Sequence, residues 1–417
     1  MTALRTDVAV IGGGIVGLAC ARELALRGRT VTVLERDRVG EACSFGNAGW
    51  LTPSQSFALA QPGLVAKATR WLFDPDSPFY VPLRADPFLA GWLLRFLWAT
   101  RRTTFERGSG VLLEMCVWST DAWEELARSG PGEFGFARAG LVAVYQTEKG
   151  AAAARHLADF AAAHGVPHEW WSATEVRLRE PAVRGRQIGA LFYPRDAHCE
   201  PYGAVTALAD AARRAGATLR EGVTVRGAER QDSTIGALDT TIGRVDADEV
   251  VLAAGAWSRS LGHALGLRVP ILGAKGYSMV VPRLDPHPRH SIYVAERKVA
   301  LNPHRDGLRI AGTLELVGED LTVNTRRVRA IEAGARTLID LPADLGGVQV
   351  WRGLRPCAPD GMPLIGRSRA SSNLWLATGH HMAGLKTAPA TGRLLAELMC
   401  GERPTFDPEP CRASRYC

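Results

Sequence analysis

At 417 residues, with 46% hydrophobic and 22% charged residues, the chain has the composition of a globular protein long enough for two domains. Its net charge of +7 does not point to nucleic acid: of 50 basic residues only five are lysine (Lys67, Lys149, Lys275, Lys298, Lys386), and the arginines are scattered with no basic run of five. Eight cysteines without a C-x-x-C pair or metal-like spacing argue against a disulfide framework or a zinc site.

The chain opens on a short apolar run (Val8 to Ile11), a glycine-rich turn, an apolar-periodic helix, a second apolar run and an acid, Glu35. Gly12, Gly14 and Gly17 form G-x-G-x-x-G at the junction of strand and helix. In that context Gly12 permits the tight turn, Gly14 lets the backbone approach a pyrophosphate, and Gly17 lets the helix pack closely on the strand. The helix N-terminus offers free N–H donors and the positive end of its dipole to phosphate. Glu35 is placed to accept hydrogen bonds from a ribose 2′-hydroxyl. The pattern predicts a dinucleotide site, and an acid at this strand end fits an unphosphorylated ribose, hence FAD or NAD over NADP. Glycines that serve packing alone are the competing reading. The motif begins at Asp7, which leaves no room for a signal peptide, and the chain is read as cytoplasmic.

The loop 41–50 follows, with Ser44 and Asn47 among small residues, and suits backbone crossing a phosphate or flavin edge. Residues 52–77, punctuated by Pro53, Pro62, Gly63, Trp71, Phe73 and Pro75, read as a covering loop. Asp86-Pro87 supplies an N-cap and a first-turn proline for the helix FLAGWLLRFLWATRR, which is apolar on nearly every face and too short to span a bilayer. It is read as buried or at an oligomer interface, ahead of an in-plane membrane contact edged by Arg95, Arg101 and Arg102. Further helices are expected at 111–129, 148–164, ending near Arg214, and at 324–339. Strands are expected at 141–145, 274–281, 291–301 and 308–313, the last three in one antiparallel sheet. DEVVLAAGAWS (248–258) is an apolar strand ending on small residues, which lets a sheet edge abut a cofactor. A strand, a Gly/His-rich turn, a helix starting near Pro389 and a loosely held tail after Gly401 complete the chain.

The N-terminal unit, SFGNAG (44–49), VLAAGAWS, GLRPCAPDGMPLIG (353–366) and ATGHHMAGLKTAPATGRL (377–394) recur in this order, with the KGYS segment (275–278), over almost the whole chain. Together they resemble the FAD-dependent D-amino-acid oxidase and dehydrogenase superfamily, closest to bacterial D-amino-acid dehydrogenases. The resemblance implies an α/β plus α+β fold: a Rossmann-like FAD-binding domain (1–60, 184–270 and 345–403) interleaved with an antiparallel-sheet substrate domain (61–183 and 271–344), and a tail at 404–417. It implies FAD held along its ADP and ribityl portions by Gly12, Gly14, Gly17, Glu35, Arg36, Ser44 and Asn47, with Ile15, Val16 and Ala48 beside them. Val225 would meet the adenine through its backbone, and Ala254 and Gly255 would pass close to the cofactor. Gly379, His380, Gly384 and Leu385 would form the turn beside the isoalloxazine.

By the same resemblance Arg355 would bind the substrate carboxylate, a task suited to a planar guanidinium fork; a structural salt bridge is the alternative. Tyr277 is a second candidate contact, although a strand tyrosine serves a core equally well. Lys386 would stabilise charge on the reduced flavin together with the helix dipole, or else be solvated. His380 is the remaining candidate, with a hydrogen-bonded structural role as its competitor. Two departures stand out. Gly379-His380-His381 replaces the common Gly-His-Gly and adds bulk at the flavin edge, and Cys357 falls where sarcosine-oxidase relatives attach flavin, an unattached thiol being the favoured reading. The expected activity is oxidation of the Cα–N bond of a D-amino acid by hydride transfer, giving an imine and then a 2-oxo acid and ammonia, with a quinone or O2 as electron acceptor. A glycine- or sarcosine-type oxidase and the flavoprotein subunit of a heteromeric amine or opine dehydrogenase are the alternatives. A peripheral contact with the inner face of a membrane and a homo- or hetero-oligomer stay open; no metal and no nucleic acid are expected.

Overall fold

The computed structural model describes residues 4–63, 77–82, 85–129 and 133–417. Of the expected covering loop, Trp71, Phe73 and Pro75 lie outside these. Strand Leu4–Ile11 runs parallel to Val31–Leu34 on one side and Gly243–Leu252 on the other, with Thr218–Arg220 beyond the first. The far edge of Gly243–Leu252 is shared. Its first half takes strand Thr234–Thr240 antiparallel and its second half takes Leu374–Thr378 parallel. Val8, Ala9, Val10 and Ile11 are all buried, as a parallel sheet covered on both faces requires.

Helices Ile15–Ala25 and Gly384–Cys400 pack together on this sheet, closely enough that a Cβ at Gly392 would stand 2.5 Å from the Ala19 carbonyl oxygen. The second helix begins at Gly384 and carries Pro389 inside it, whereas the sequence reading starts it near the proline. Proline cannot donate to the carbonyl four residues back. Here that carbonyl, of Leu385, accepts instead from the Trp123 indole N–H at 3.0 Å, so the helix continues without an orphaned acceptor.

The second sheet runs, in spatial order, Val350–Cys357, Leu272–Pro282, Gly307–Leu316, Val299–His304, Ser291–Val294, Leu141–Tyr145, Gly189–Tyr193 and Glu169–Ser172, with Phe79–Tyr80 at its margin. The single strand expected at 291–301 is a hairpin whose turn puts Lys298 at φ +56°. Strands Gly189–Tyr193 and Val350–Cys357 pair into this sheet, across the boundaries expected at 184 and 345.

Helix Pro87–Ala99 is capped by Asp86, whose Oδ1 accepts from the N–H groups of Phe88 and Leu89 at 3.0 and 3.2 Å. Of the expectation of a buried or oligomer-interface helix, burial within the chain holds for one face only. Leu89, Trp92, Phe96 and Ala99 form one buried stripe, while Leu94, Leu97 and Trp98 are exposed. The neighbouring helix starts at Arg102, earlier than the expected 111. The tail is also firmer than expected. Arg415 grips Asp360 through two hydrogen bonds of 2.7 and 3.1 Å, Phe406 and Cys411 are buried, and Arg369 N–H donates to the Cys417 carbonyl at 2.9 Å. Among the described residues no helix is long and apolar enough to cross a membrane.

Candidate functional site

The carboxyl ends of the parallel strands and one face of the second sheet line a single cavity of about 1430 Å³. At one end Gly12 adopts φ +113°, and a Cβ there would stand 2.6 Å from the Ala253 carbonyl oxygen, so only glycine fits. Gly17 is not in the cavity wall; a side chain on it would collide with the Gly12 carbonyl, and its role is the close packing of helix on strand. Ile15 N–H donates to Ser44 Oγ at 3.1 Å, which places a hydroxyl at the N-terminus of helix Ile15–Ala25. Glu35 accepts from Gly13 N–H at 2.7 Å and Asp37 N–H at 3.0 Å, so its carboxylate is fixed at the wall. The Arg36 guanidinium lies 5.1 Å above the Trp257 ring. Asn47 works within its loop, donating to the Ser44 carbonyl and accepting from Gly49 N–H at 2.9 Å. Val16, Ala48, Val225, Ala254 and Gly255 all line the cavity. A bare-backbone turn, donors and a hydroxyl at a helix N-terminus and a fixed acid fit the ADP half of FAD.

At the other end stands Arg355. Its Nη1 donates to the Thr313 carbonyl at 2.7 Å, and a Cβ at Gly276 would collide with the guanidinium, so that glycine makes the room. Among the described residues no carboxylate lies within ion-pair distance, which sets aside the structural salt bridge. Burial lowers its pKa. Tyr277 lines the wall with its ring, but its hydroxyl accepts from Asn324 N–H at 3.0 Å, and burial raises the phenol's pKa.

His380 pairs its Nε2 with Thr391 Oγ1 at 3.0 Å, and burial pushes its pKa down to about 3, so it is a neutral, hydrogen-bonded group. His381 differs: it is 6% exposed, sits at φ +37°, and neither ring nitrogen has a hydrogen-bond partner among the described residues. The Gly361 carbonyl is near enough to favour the charged ring but outside hydrogen-bond geometry, and burial pushes the pKa down to about 4. Gly379, at φ +81°, shapes the turn from behind the wall, whereas Gly384 and Leu385 line it.

Lys386 is buried, which overturns the solvated alternative. Its Nζ donates to the Gln55 carbonyl at 3.0 Å, and burial lowers its pKa. The same short turn, Pro53–Gln55, is held from another side by Asp196, which accepts from the Ser54 hydroxyl and, at 3.2 Å, from Ser54 N–H. Burial pushes Asp196 up to about 7. Cys357 is buried in an apolar cluster with Leu272, Ala274 and Trp92 and takes no part in the cavity wall. Sequence reasoning does not single out Trp257, Trp351 or Tyr293, which all line the cavity. For Trp351 a signal existed: it alternates with Gly353 and Arg355 along one strand face.

The chain matches the FAD dependent oxidoreductase family, DAO, over residues 7–398. It is 32% identical over 416 residues to a D-amino acid dehydrogenase of Xanthobacter autotrophicus and 33% identical over 416 to one of Methylobacterium nodulans, in each case covering 98% of this chain and 99% of the relative. Among solved structures, glycine oxidase from Geobacillus kaustophilus matches with a TM-score of 0.79 at 26% identity over the whole of both chains. L-proline dehydrogenase from P. horikoshii matches with a TM-score of 0.76 at 21% identity over 100% of this chain and 98% of that one, a likeness of fold alone. A match that runs through both sheets and the cavity they line makes the chain a member of the DAO family, an FAD-dependent oxidoreductase.

Proposed function

We propose that the protein oxidises the Cα–N bond of a D-amino acid, the imine then hydrolysing to a 2-oxo acid and ammonia. The observation that carries this reading is Arg355, a half-buried guanidinium in the cavity wall with no carboxylate within ion-pair distance among the described residues. The relatives named D-amino acid dehydrogenase support it. Bound FAD supplies the hydride acceptor, at its N5, for the substrate's Cα hydrogen.

The chain's own groups do the rest. Thr313 holds one guanidinium nitrogen of Arg355, leaving other N–H donors to fix the α-carboxylate bidentately. Lys386, buried in the cavity wall, would offer its ammonium to the negative charge that the cofactor takes on when reduced. A cation in the first turn of a helix is disfavoured by the dipole, and burial disfavours it again, so its retention fits a charge-stabilising role. His380, neutral and bonded to Thr391, holds the turn and takes no proton. No general base is assigned, because a substrate amine that arrives neutral needs none. Within this reading the sheet built on Leu4–Ile11 is the FAD half, and the second sheet, strands Gly189–Tyr193 and Val350–Cys357 included, is the substrate half.

Helix Pro87–Ala99 lines the cavity through Leu93 and Leu97 and exposes Leu94 and Trp98, with Arg101 over the Trp98 ring at 4.4 Å. That continuity supports a lipid-soluble quinone as acceptor and a peripheral membrane contact. Cosedimentation with anionic vesicles tests it: Trp98→Asp should lower the bound fraction, and equal binding of variant and parent would count against it. For the reaction itself, turnover with an artificial acceptor should release ammonia and a 2-oxo acid in equal amounts from D-amino acids and not from L-enantiomers. Equal turnover of both enantiomers would overturn the D assignment.

A further inference from the structure

One row of residues crosses the second sheet on its cavity side. In register, Trp351 stands opposite Ser278, Ser278 opposite Ala311, Ala311 opposite Ala300, and Ala300 opposite Tyr293. All five line the cavity. With neighbouring strands about 4.8 Å apart, the two aromatic residues bound a floor roughly 19 Å across at backbone level. The three residues between them are small. Towards Arg355 the next pair in the wall is Gly353 opposite Gly276, whose missing side chains make room for the Trp351 indole and the Arg355 guanidinium.

A sheet interior normally fills such positions with branched or aromatic side chains, because close packing is what stabilises it. Here the aromatic groups are moved to the borders and fixed there. The Trp351 indole lies against Gly46 and Gly353, and a Cβ at either would collide with its ring. Tyr293 packs edge-on against Trp50, with centroids 5.7 Å apart and planes at 87°. The Ser278 hydroxyl is already donated to the Gly46 carbonyl at 2.6 Å, so it is not a free donor to a polar side chain. Lys298 lies at the outer edge, exposed and 5.4 Å from the Tyr293 ring centroid, where water screens its charge.

We propose that this trough receives the substrate side chain and selects D-amino acids with a large aromatic side chain, D-phenylalanine and D-tryptophan, over D-alanine. The proposal rests on the reading of Arg355 as the carboxylate anchor: a carboxylate held there leaves the side chain over small residues, between aromatic faces that favour ring contacts. The experiment is steady-state turnover of the FAD-loaded enzyme on D-phenylalanine, D-tryptophan, D-alanine and D-glutamate with an artificial acceptor, for the parent and for Ala300→Leu. The parent should favour D-phenylalanine over D-alanine at least tenfold in kcat/KM, and Ala300→Leu should cut that ratio at least tenfold by filling the trough. Calorimetry on the same holoenzyme gives a reading apart from turnover. 3-Phenylpropanoate should bind at least tenfold more tightly than propanoate, and Ala300→Leu, or Ala300→Val if the leucine variant does not fold, should remove the difference. Equal or better use of D-alanine or D-glutamate, or an unchanged ratio in a folded variant, overturns the trough while leaving the D-amino-acid reading intact. No turnover of any D-amino acid overturns both.

Discussion

Arg355 Nη1 and the Thr313 carbonyl oxygen are 2.7 Å apart, and Thr313 presents that oxygen from a left-handed backbone at φ +67°. It sits where strand Gly307–Leu316 slips register against Lys275 and Tyr277, a bulge that re-aims the backbone. A β-branched residue in this region carries about 1–3 kcal/mol of strain. The bulge thus turns a carbonyl towards a cation that has no acid beside it among the described residues.

Arg355→Met should lower kcat/KM by roughly 10²–10³-fold, since truncating one partner of a buried charge pair costs about 2–5 kcal/mol. Arg355→Lys should fall between parent and methionine variant, as an ammonium cannot grip a carboxylate with a fork. The fold should not suffer, because among the described residues the guanidinium has no carboxylate to lose. Steady-state kinetics together with a denaturation midpoint check both halves; a change under threefold in kcat/KM would remove the anchor from Arg355.

Lys386→Met should slow anaerobic flavin reduction by roughly 10–100-fold and shift the flavin midpoint potential to more negative values, with little change in KM. A structural lysine would move the denaturation midpoint and leave the potential where it is. Rapid-mixing kinetics and a dye-linked reductive titration read the two quantities.

Asp196 gives a pH signature of its own. Burial raises its carboxyl pKa from an ordinary value near 4 to about 7, so the native state holds this proton more tightly than the unfolded chain. Its contribution to stability is complete below about pH 4 and is lost as pH rises through about 7. Asp196→Asn keeps an acceptor for Ser54 N–H and removes the titration. The variant's stability relative to the parent should therefore rise between about pH 4 and 7 and level off above that. Parallel stability curves from urea melts across that range would contradict it.

His381→Gly should stabilise the apoprotein by about 1 kcal/mol, because it removes two unpartnered ring nitrogens, worth about 1–3 kcal/mol, and a left-handed backbone on a bulky residue, against glycine's backbone entropy. A fall in the urea midpoint would show that the imidazole has a partner in solution.

What was legible in the sequence is what depends on local backbone geometry. Gly12 is needed by a turn in its own stretch of chain, and the GLRP segment carries Arg355 on a strand whose alternation is visible. What was not legible depends on partners distant in the chain. Pro389 sits within a helix only because Trp123 reaches the carbonyl it leaves open, and the tail is held only because Arg415 finds Asp360. Helix Pro87–Ala99 is apolar on two faces, so periodicity could not tell which one the core would take. The floor between Trp351 and Tyr293 exists only once strand register is known.

The most direct measurement is anaerobic mixing of the FAD-loaded enzyme with a panel of D-amino acids while the flavin's visible absorbance is followed, in the parent and in Arg355→Met. Bleaching of the parent by D- and not L-amino acids, lost or much slowed in the variant at matched concentrations, is the expected result. A flavin that stays oxidised with every D-amino acid, or bleaches equally fast without Arg355, would contradict it.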